Sequence, residues 1–143
     1  MTAAYRLHRA MMFALRPRTH GVHAMAFTPS GHVVLVRLTY APGWRLPGGG
    51  RKKREESVAA MLRELREEIG LTAYSSIEHA HDCEERTRYG SDRSAVFVLR
   101  GAEYRPRPTW EIEEVREFAA DALPAYMPPR TRDLIDAVVQ RRR

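Results

Sequence analysis

The chain has 143 residues, a length suited to a single domain with a core of its own. Its composition, 43% apolar and 29% charged, excludes a disordered or fibrous chain. The net charge of +6 conceals a division: residues 1–54 carry ten Lys or Arg and no acid, and residues 55–143 carry fourteen basic and eighteen acidic residues.

In chain order, residues 5–16 read as a short amphipathic helix, with Leu7, Met11, Ala14 and Leu15 on one side and Pro17 as its stop. The segments HGVHAMAF and HVVLVRL read as strands joined at TPSG, a turn-forming cluster. YAPGW is a loop, followed by a short strand over residues 44–46. Ser57 is placed to cap a helix that Gly70 terminates. TAYSSIEHAH and SAVFVLRG read as strands around a polar loop, EERTRYGSD, with His79 and His81 sharing one strand face. EIEEVREF is a further strand, and residues 130–142 form a closing helix. Strands dominate and two helices accompany them, which predicts an α+β or mixed α/β layered fold. The whole of residues 1–143 reads as one domain, with 1–16 an N-terminal extension and 130–143 a C-terminal helix and basic tail.

Cys83 is the only cysteine, so no internal disulfide forms, as suits a reducing compartment. No apolar run reaches membrane-spanning length, and AMMFAL is short for a signal-peptide core, so the expected location is the cytoplasm. The acid-free first 54 residues fit nucleic-acid binding, a site for a small polyanion, or simply a composition rich in Arg. Charge does not separate these readings. With no Cys or third His near His79 and His81, zinc is not expected.

The chemistry concentrates in LPGGGRKKREESVAAMLRELREEIGL. On a helical wheel at about 100° per residue, Val58, Leu62, Leu65 and Ile69 form an apolar stripe with Met61 at its edge. Glu64, Glu67 and Glu68 occupy one flank of it, and Arg63 and Arg66 lie across or behind the stripe. Like charges so spaced repel each other. Either they form a solvated face, or they hold a hard divalent cation that prefers carboxylate oxygen. The preceding glycines favour a ligand, since backbone can approach phosphate closely there and a helix N-terminus follows.

Gly49, Glu55, Arg63, Glu64, Leu65, Glu67, Glu68, Gly70 and Leu71 stand at the spacing Gly-x5-Glu-x7-Arg-Glu-apolar-x-Glu-Glu-x-Gly-apolar. This pattern resembles the Nudix box, the signature of the Nudix hydrolases. Seven fixed identities would coincide by chance about once in 10⁸ to 10⁹ positions. WRLPGG before the box and EIEEVREFAADALP after it extend the resemblance over most of residues 20–125.

The resemblance implies an α/β/α sandwich around a mixed sheet, and hydrolysis of a nucleoside diphosphate linked to another group with Mg²⁺ or Mn²⁺. Carried over by position, Glu64, Glu67 and Glu68 are metal ligands, joined by a backbone carbonyl near Gly48 or Gly49. Arg63 orients a carboxylate, with Glu55 as its expected partner. A general base comes from the helix glutamates or from Glu111 or Glu114 outside the box. Gly48, Gly49, Gly50, Arg45 and Arg51 are candidates to contact substrate, and Trp44 and Tyr40 either stack on a base or sugar or serve packing. The alternative reading is a nucleotide- or RNA-binding module of the same fold without catalysis. Members commonly dimerise, so a homodimer is a further expectation. One departure stands out: residues 51–54 are Arg-Lys-Lys-Arg, where relatives often carry an acid and a glycine.

Overall fold

The structure is a computed structural model that describes residues 20–87, 90–107 and 109–141, together with Ala3. The helix expected over residues 5–16 lies outside them. The elements run β1 (His20–Ala26), β2 (Val33–Leu38), β3 (Trp44–Arg45), β4 (Gly48–Gly50), α1 (Ser57–Glu68), β5 (Leu71–Ala73), β6 (Ser76–Thr87), β7 (Gly90–Arg100), β8 (Glu103–Tyr104), β9 (Ile112–Phe118) and α2 (Pro129–Arg141).

Side chains alternate across a strand, so a continuous apolar run needs cover on both faces. β1, β2 and β7 are such runs. Val22, Ala24, Val34, Val36, Phe97 and Leu99 enter one core cluster, which Ala60, Met61, Leu65 and Ile69 of α1 close. Met25, Val33, Leu35, Val96 and Val98 enter a second, closed by Leu134, Ile135 and Val138 of α2. A helix therefore lies on each face of the strand layer, an α/β/α sandwich. The strands pair in the orders β4-β1-β7-β6, β3-β2-β9 and β5-β8. The pairing is mixed, since β1 runs parallel to β7 and antiparallel to β4. The turn between β1 and β2 hands the chain from one ladder to the next, with a single Phe27–Val33 bridge between them.

Four local expectations change. The segment EERTRYGSD is largely strand and not loop: β6 and β7 pair from Ser76–Arg100 to Thr87–Gly90. A backbone ladder tolerates polar side chains where both faces meet solvent, so hydrophilicity did not mark a loop. A bulge between His79 and His81 puts them opposite Phe97 and Val96, hence on different faces. His79 accordingly meets Phe97 edge to face at 5.6 Å. Glu56, and not Ser57, holds the N-cap position of α1, in extended conformation and without a side-chain cap bond. The buried arc of α1 is also rotated: Val58 is 43% exposed, while Ala60 and Glu68 are buried with Met61, Leu65 and Ile69. The helix thus turns its acidic flank, and not only its apolar stripe, toward the strands.

Two backbone positions carry opposite consequences. Gly70 ends α1 with φ 71°, and a Cβ there would lie 2.0 Å from the Arg105 carbonyl oxygen. Arg54 adopts φ 66°, a left-handed conformation that suits glycine better. Gly70→Ala should therefore cost about 2 kcal/mol or more, because strain and a backbone clash add. Arg54→Gly should raise stability by up to about 1 kcal/mol. Urea unfolding of the two variants checks both signs.

Candidate functional site

Three elements converge where α1 crosses β4. The glycines of β4 pair antiparallel with β1 at Gly21, Val22 and His23, so they form a strand and not the flexible loop that three glycines suggest. None of the three is left-handed; Gly48 and Gly49 need to be glycine for proximity. A Cβ on Gly49 would lie 2.5 Å from the carboxyl carbon of Glu64. The Gly48 N–H donates to Glu68 Oε1 at 2.6 Å. A side chain at Gly49 would displace the Glu64 carboxylate.

Arg63 ties the cluster together. Its Nε and Nη2 donate to Glu55 Oε2 and Oε1, each at 2.9 Å, a two-pronged grip that only a guanidinium supplies. Nη2 also donates to the Gly50 carbonyl and Nη1 to Glu64 Oε1, both at 2.9 Å, with Glu67 Oε2 3.6 Å from Nη1. Arg63 therefore stands beside the glutamates and not across the stripe from them. Glu55 also accepts the Lys52 N–H at 2.9 Å. The Arg63 bonds, and then that backbone bond, hold the Glu55 carboxyl down to about 2.

Glu64 and Glu68 are shifted the other way. Burial raises Glu64 above the usual carboxylate value despite Arg63, and the charges of Glu67 and Glu111 add to it. Burial raises Glu68 well above that value, reinforced by Glu64, Glu111 and Glu67, against only the bond from Gly48. Glu68 is 8% exposed and no cation pairs with it among the described residues. A buried carboxylate with so little compensation, beside a second one that shares Arg63 with Glu55, is costly unless something positive joins the pair.

The donor set suits a hard cation. Among the described residues no three acids, imidazoles or thiols converge tightly enough to cage an ion by themselves. A cation here would therefore also draw on backbone oxygen, and the Gly49 backbone packs directly against the Glu64 carboxyl. Carboxylate and carbonyl oxygens are the ligands Mg²⁺ and Mn²⁺ take.

The other candidates divide. Glu111 lies just before β9, where its charge reaches both Glu64 and Glu68. Glu114 is held instead by Arg37 at 2.8 Å and by Arg116. Arg45 and Tyr40 line a cleft with Gly48–Gly50 and Glu68. Arg51 borders a separate depression, its Nη1 3.5 Å from the Ser57 hydroxyl. Trp44 is committed to packing: it is 9% exposed, stands edge-on to Phe118 at 5.1 Å, and has Arg37 and Arg116 over its ring. The sequence pattern did not single out His23, Ser94 and Arg130, which line the same cleft as Arg45. His23 alternates with Val22 and Ala24 in an apolar strand, so its pattern signalled core. Burial, with Arg130 and Arg45 nearby, pushes its imidazole down to about 4, so it is neutral at neutral pH.

Glu68 makes a linkage prediction. Its folded value lies above its ordinary 4.5, so the stability present when it is protonated is lost as pH rises through the raised value. In metal-free protein, Glu68→Gln should therefore stabilise the fold at pH 8, by about 1 kcal/mol or more, and much less at pH 5. Thermal unfolding in chelator at the two pH values checks it.

Comparison with known proteins follows the same outline. A model of the NUDIX domain matches residues 17–138. Over 70 residues the chain is 49% identical to an RNA pyrophosphohydrolase of Brucella ovis, covering 43% of this chain and 39% of the relative. The chain thus spans about two fifths of that relative's length. The MutT NUDIX hydrolase from Burkholderia pseudomallei superposes with a TM-score of 0.71 at 25% identity, covering 85% of this chain and 98% of that one. The MutT protein from Methanosarcina mazei shares the fold, with a TM-score of 0.72 at 21% identity over 90% of this chain and 98% of that one.

Proposed function

Because the chain belongs to the Nudix family, we propose that it hydrolyses a phosphoanhydride bond in a nucleoside diphosphate linked to another group. The observation that carries this reading is Glu68, buried against the β4 glycines beside Glu64, with one backbone hydrogen bond and no paired cation among the described residues to offset it. Bulk solvent would be the natural place for acids without a ligand. Glu64, Glu67, Glu68 and the Gly49 backbone would hold Mg²⁺ or Mn²⁺, and the bound ion supplies charge for the phosphate oxygens and a more acidic attacking water.

The chain's own groups do the rest. Arg63 fixes Glu64 and Glu55 together, so the acid closest to Gly49 cannot swing out to solvent. Water attacks phosphorus while negative charge spreads over the non-bridging oxygens. The Gly48–Gly50 backbone borders the space in which those oxygens would lie. We assign the proton acceptor to Glu111, since it stands within the electrostatic reach of the cluster, whereas Glu114 is neutralised by two arginines.

An RNA-borne pyrophosphate group is the second reading, and the local 49% identity to an RNA pyrophosphohydrolase favours it. The four basic residues 51–54 beside the site agree with a long polyanion.

Each reading has its measurement. Glu64→Gln and Glu68→Gln should lower kcat about 100-fold or more while circular dichroism stays native, and chelation of divalent ions should abolish wild-type turnover. Glu111→Gln should cost about 100-fold in kcat, and Glu114→Gln less than about threefold, in steady-state assays on a nucleotide panel. Were all these variants as fast as wild type, the hydrolase assignment would fail. For the RNA reading, kcat/KM on triphosphorylated oligonucleotides should fall steeply with salt, and on mononucleotides only slightly.

A further inference from the structure

The cleft beside β4 carries more information than hydrolysis requires. It encloses about 240 Å³, less than the roughly 300–1,000 Å³ of pockets that bury a whole drug-sized ligand. It is sized for one planar ring. Its walls are apolar, from Val36, Leu38, Leu46 and Leu134, which face a ring better than a hydrated ion.

The polar groups in it are few and specific. Arg45 and Arg130 both line the cleft, and the Nε of each is buried with no hydrogen-bond partner among the described residues. Such orphaned donors are uncommon, because each costs its lost hydration. Arg130 is held in place from behind: Nη2 donates to Ser94 Oγ at 2.8 Å, and Nη1 pairs with Glu85 at 3.0 Å. One acid, Asp92, lines the same cleft, and Glu68 lies at its end next to the glycines.

We propose that this cleft reads guanine, with Arg45 and Arg130 donating to O6 and N7 and Asp92 accepting from N1–H and the 2-amino group. Guanidinium donors are the usual partners of O6 and N7, and adenine presents an amino donor where guanine presents O6. Adenine keeps the N7 acceptor but leaves the arginine aimed at O6 facing an amino donor. A phosphate would also satisfy the arginines, but it would meet apolar walls and the acids Asp92 and Glu68. The assignment rests on the nucleotide-hydrolase reading for its orientation: a ring in the cleft puts its phosphates toward Gly48–Gly50 and Glu64.

The test compares kcat/KM for GTP and ATP, and separately for dGTP and dATP, in wild type, Arg45→Lys and Arg45→Met. Wild type should prefer guanine by about tenfold or more. Both variants should bring the ratio within about threefold, because lysine keeps the charge but not the planar fork. Charge steering alone would leave the Arg45→Lys ratio intact, and that result overturns the proposal. Hydrolysis without any base preference also overturns it, while leaving the hydrolase reading standing. If none of the four is cleaved, calorimetry with guanosine, adenosine and inorganic phosphate decides the pocket by itself, independently of the hydrolase reading. Guanosine binding, absent for adenosine and weakened by either variant, supports the proposal. Phosphate binding that the variants abolish, with no guanosine binding, overturns it. Should neither variant fold, a guanine preference of wild type together with guanosine binding supports the proposal, and the absence of either overturns it.

Discussion

The structure depends on one tolerated cost, the burial of Glu68 against the backbone of β4. A carboxylate that is 8% exposed loses most of its hydration and recovers one short bond from the Gly48 N–H. Removing a charge from water is expensive, and one hydrogen bond does not restore it. The geometry around it follows from keeping that arrangement. Gly49 must lack a side chain so that Glu64, one turn before Glu68 on α1, can stand against the same strand. Arg63 must reach Glu64, Glu55 and the Gly50 carbonyl at once, which locks the helix N-terminus, the connecting turn and the strand into one unit.

That unit explains why the sequence signal there was so dense. A spacing of glycine, glutamate, arginine and paired glutamates is legible because each position answers a hydrogen bond or a close approach, and few substitutes exist. The layered fold was legible for a different reason. The apolar runs in β1, β2 and β7 are too continuous for a strand with one wet face, so they demanded cover on both sides. Both signals are local, and both survive without knowledge of the tertiary contacts.

What sequence did not show depends on contacts between distant segments. The rotation of α1 that exposes Val58 and buries Ala60 follows from the absence of side chains on β4, a property of the partner strand and not of the helix. The bulge at His79–His81 reverses a face assignment, and no residue there announces it. The extension of β6 and β7 through EERTRYGSD rests on cross-strand pairing between charged residues, such as Glu84 opposite Arg93. His23 and Arg130 escaped notice for the same reason. One looked like core and the other like a helix start, and only the fold places them around one cleft with Arg45.

The division between dense and silent signals tracks a division of labour. The residues of α1 and β4 suit a reaction that any diphosphate undergoes, and they lie within one short stretch of chain. Besides β4 and α1, the cleft draws on β1, β2, β3, β7 and α2, five further elements. A change in any one of these five can alter which ring fits without moving Arg63 or its glutamates, since none of them carries a partner of Arg63. Selectivity can therefore vary over a constant catalytic helix. Under the guanine reading, the two orphaned arginine donors of the cleft, on Arg45 and Arg130, gain their partner when that ring arrives.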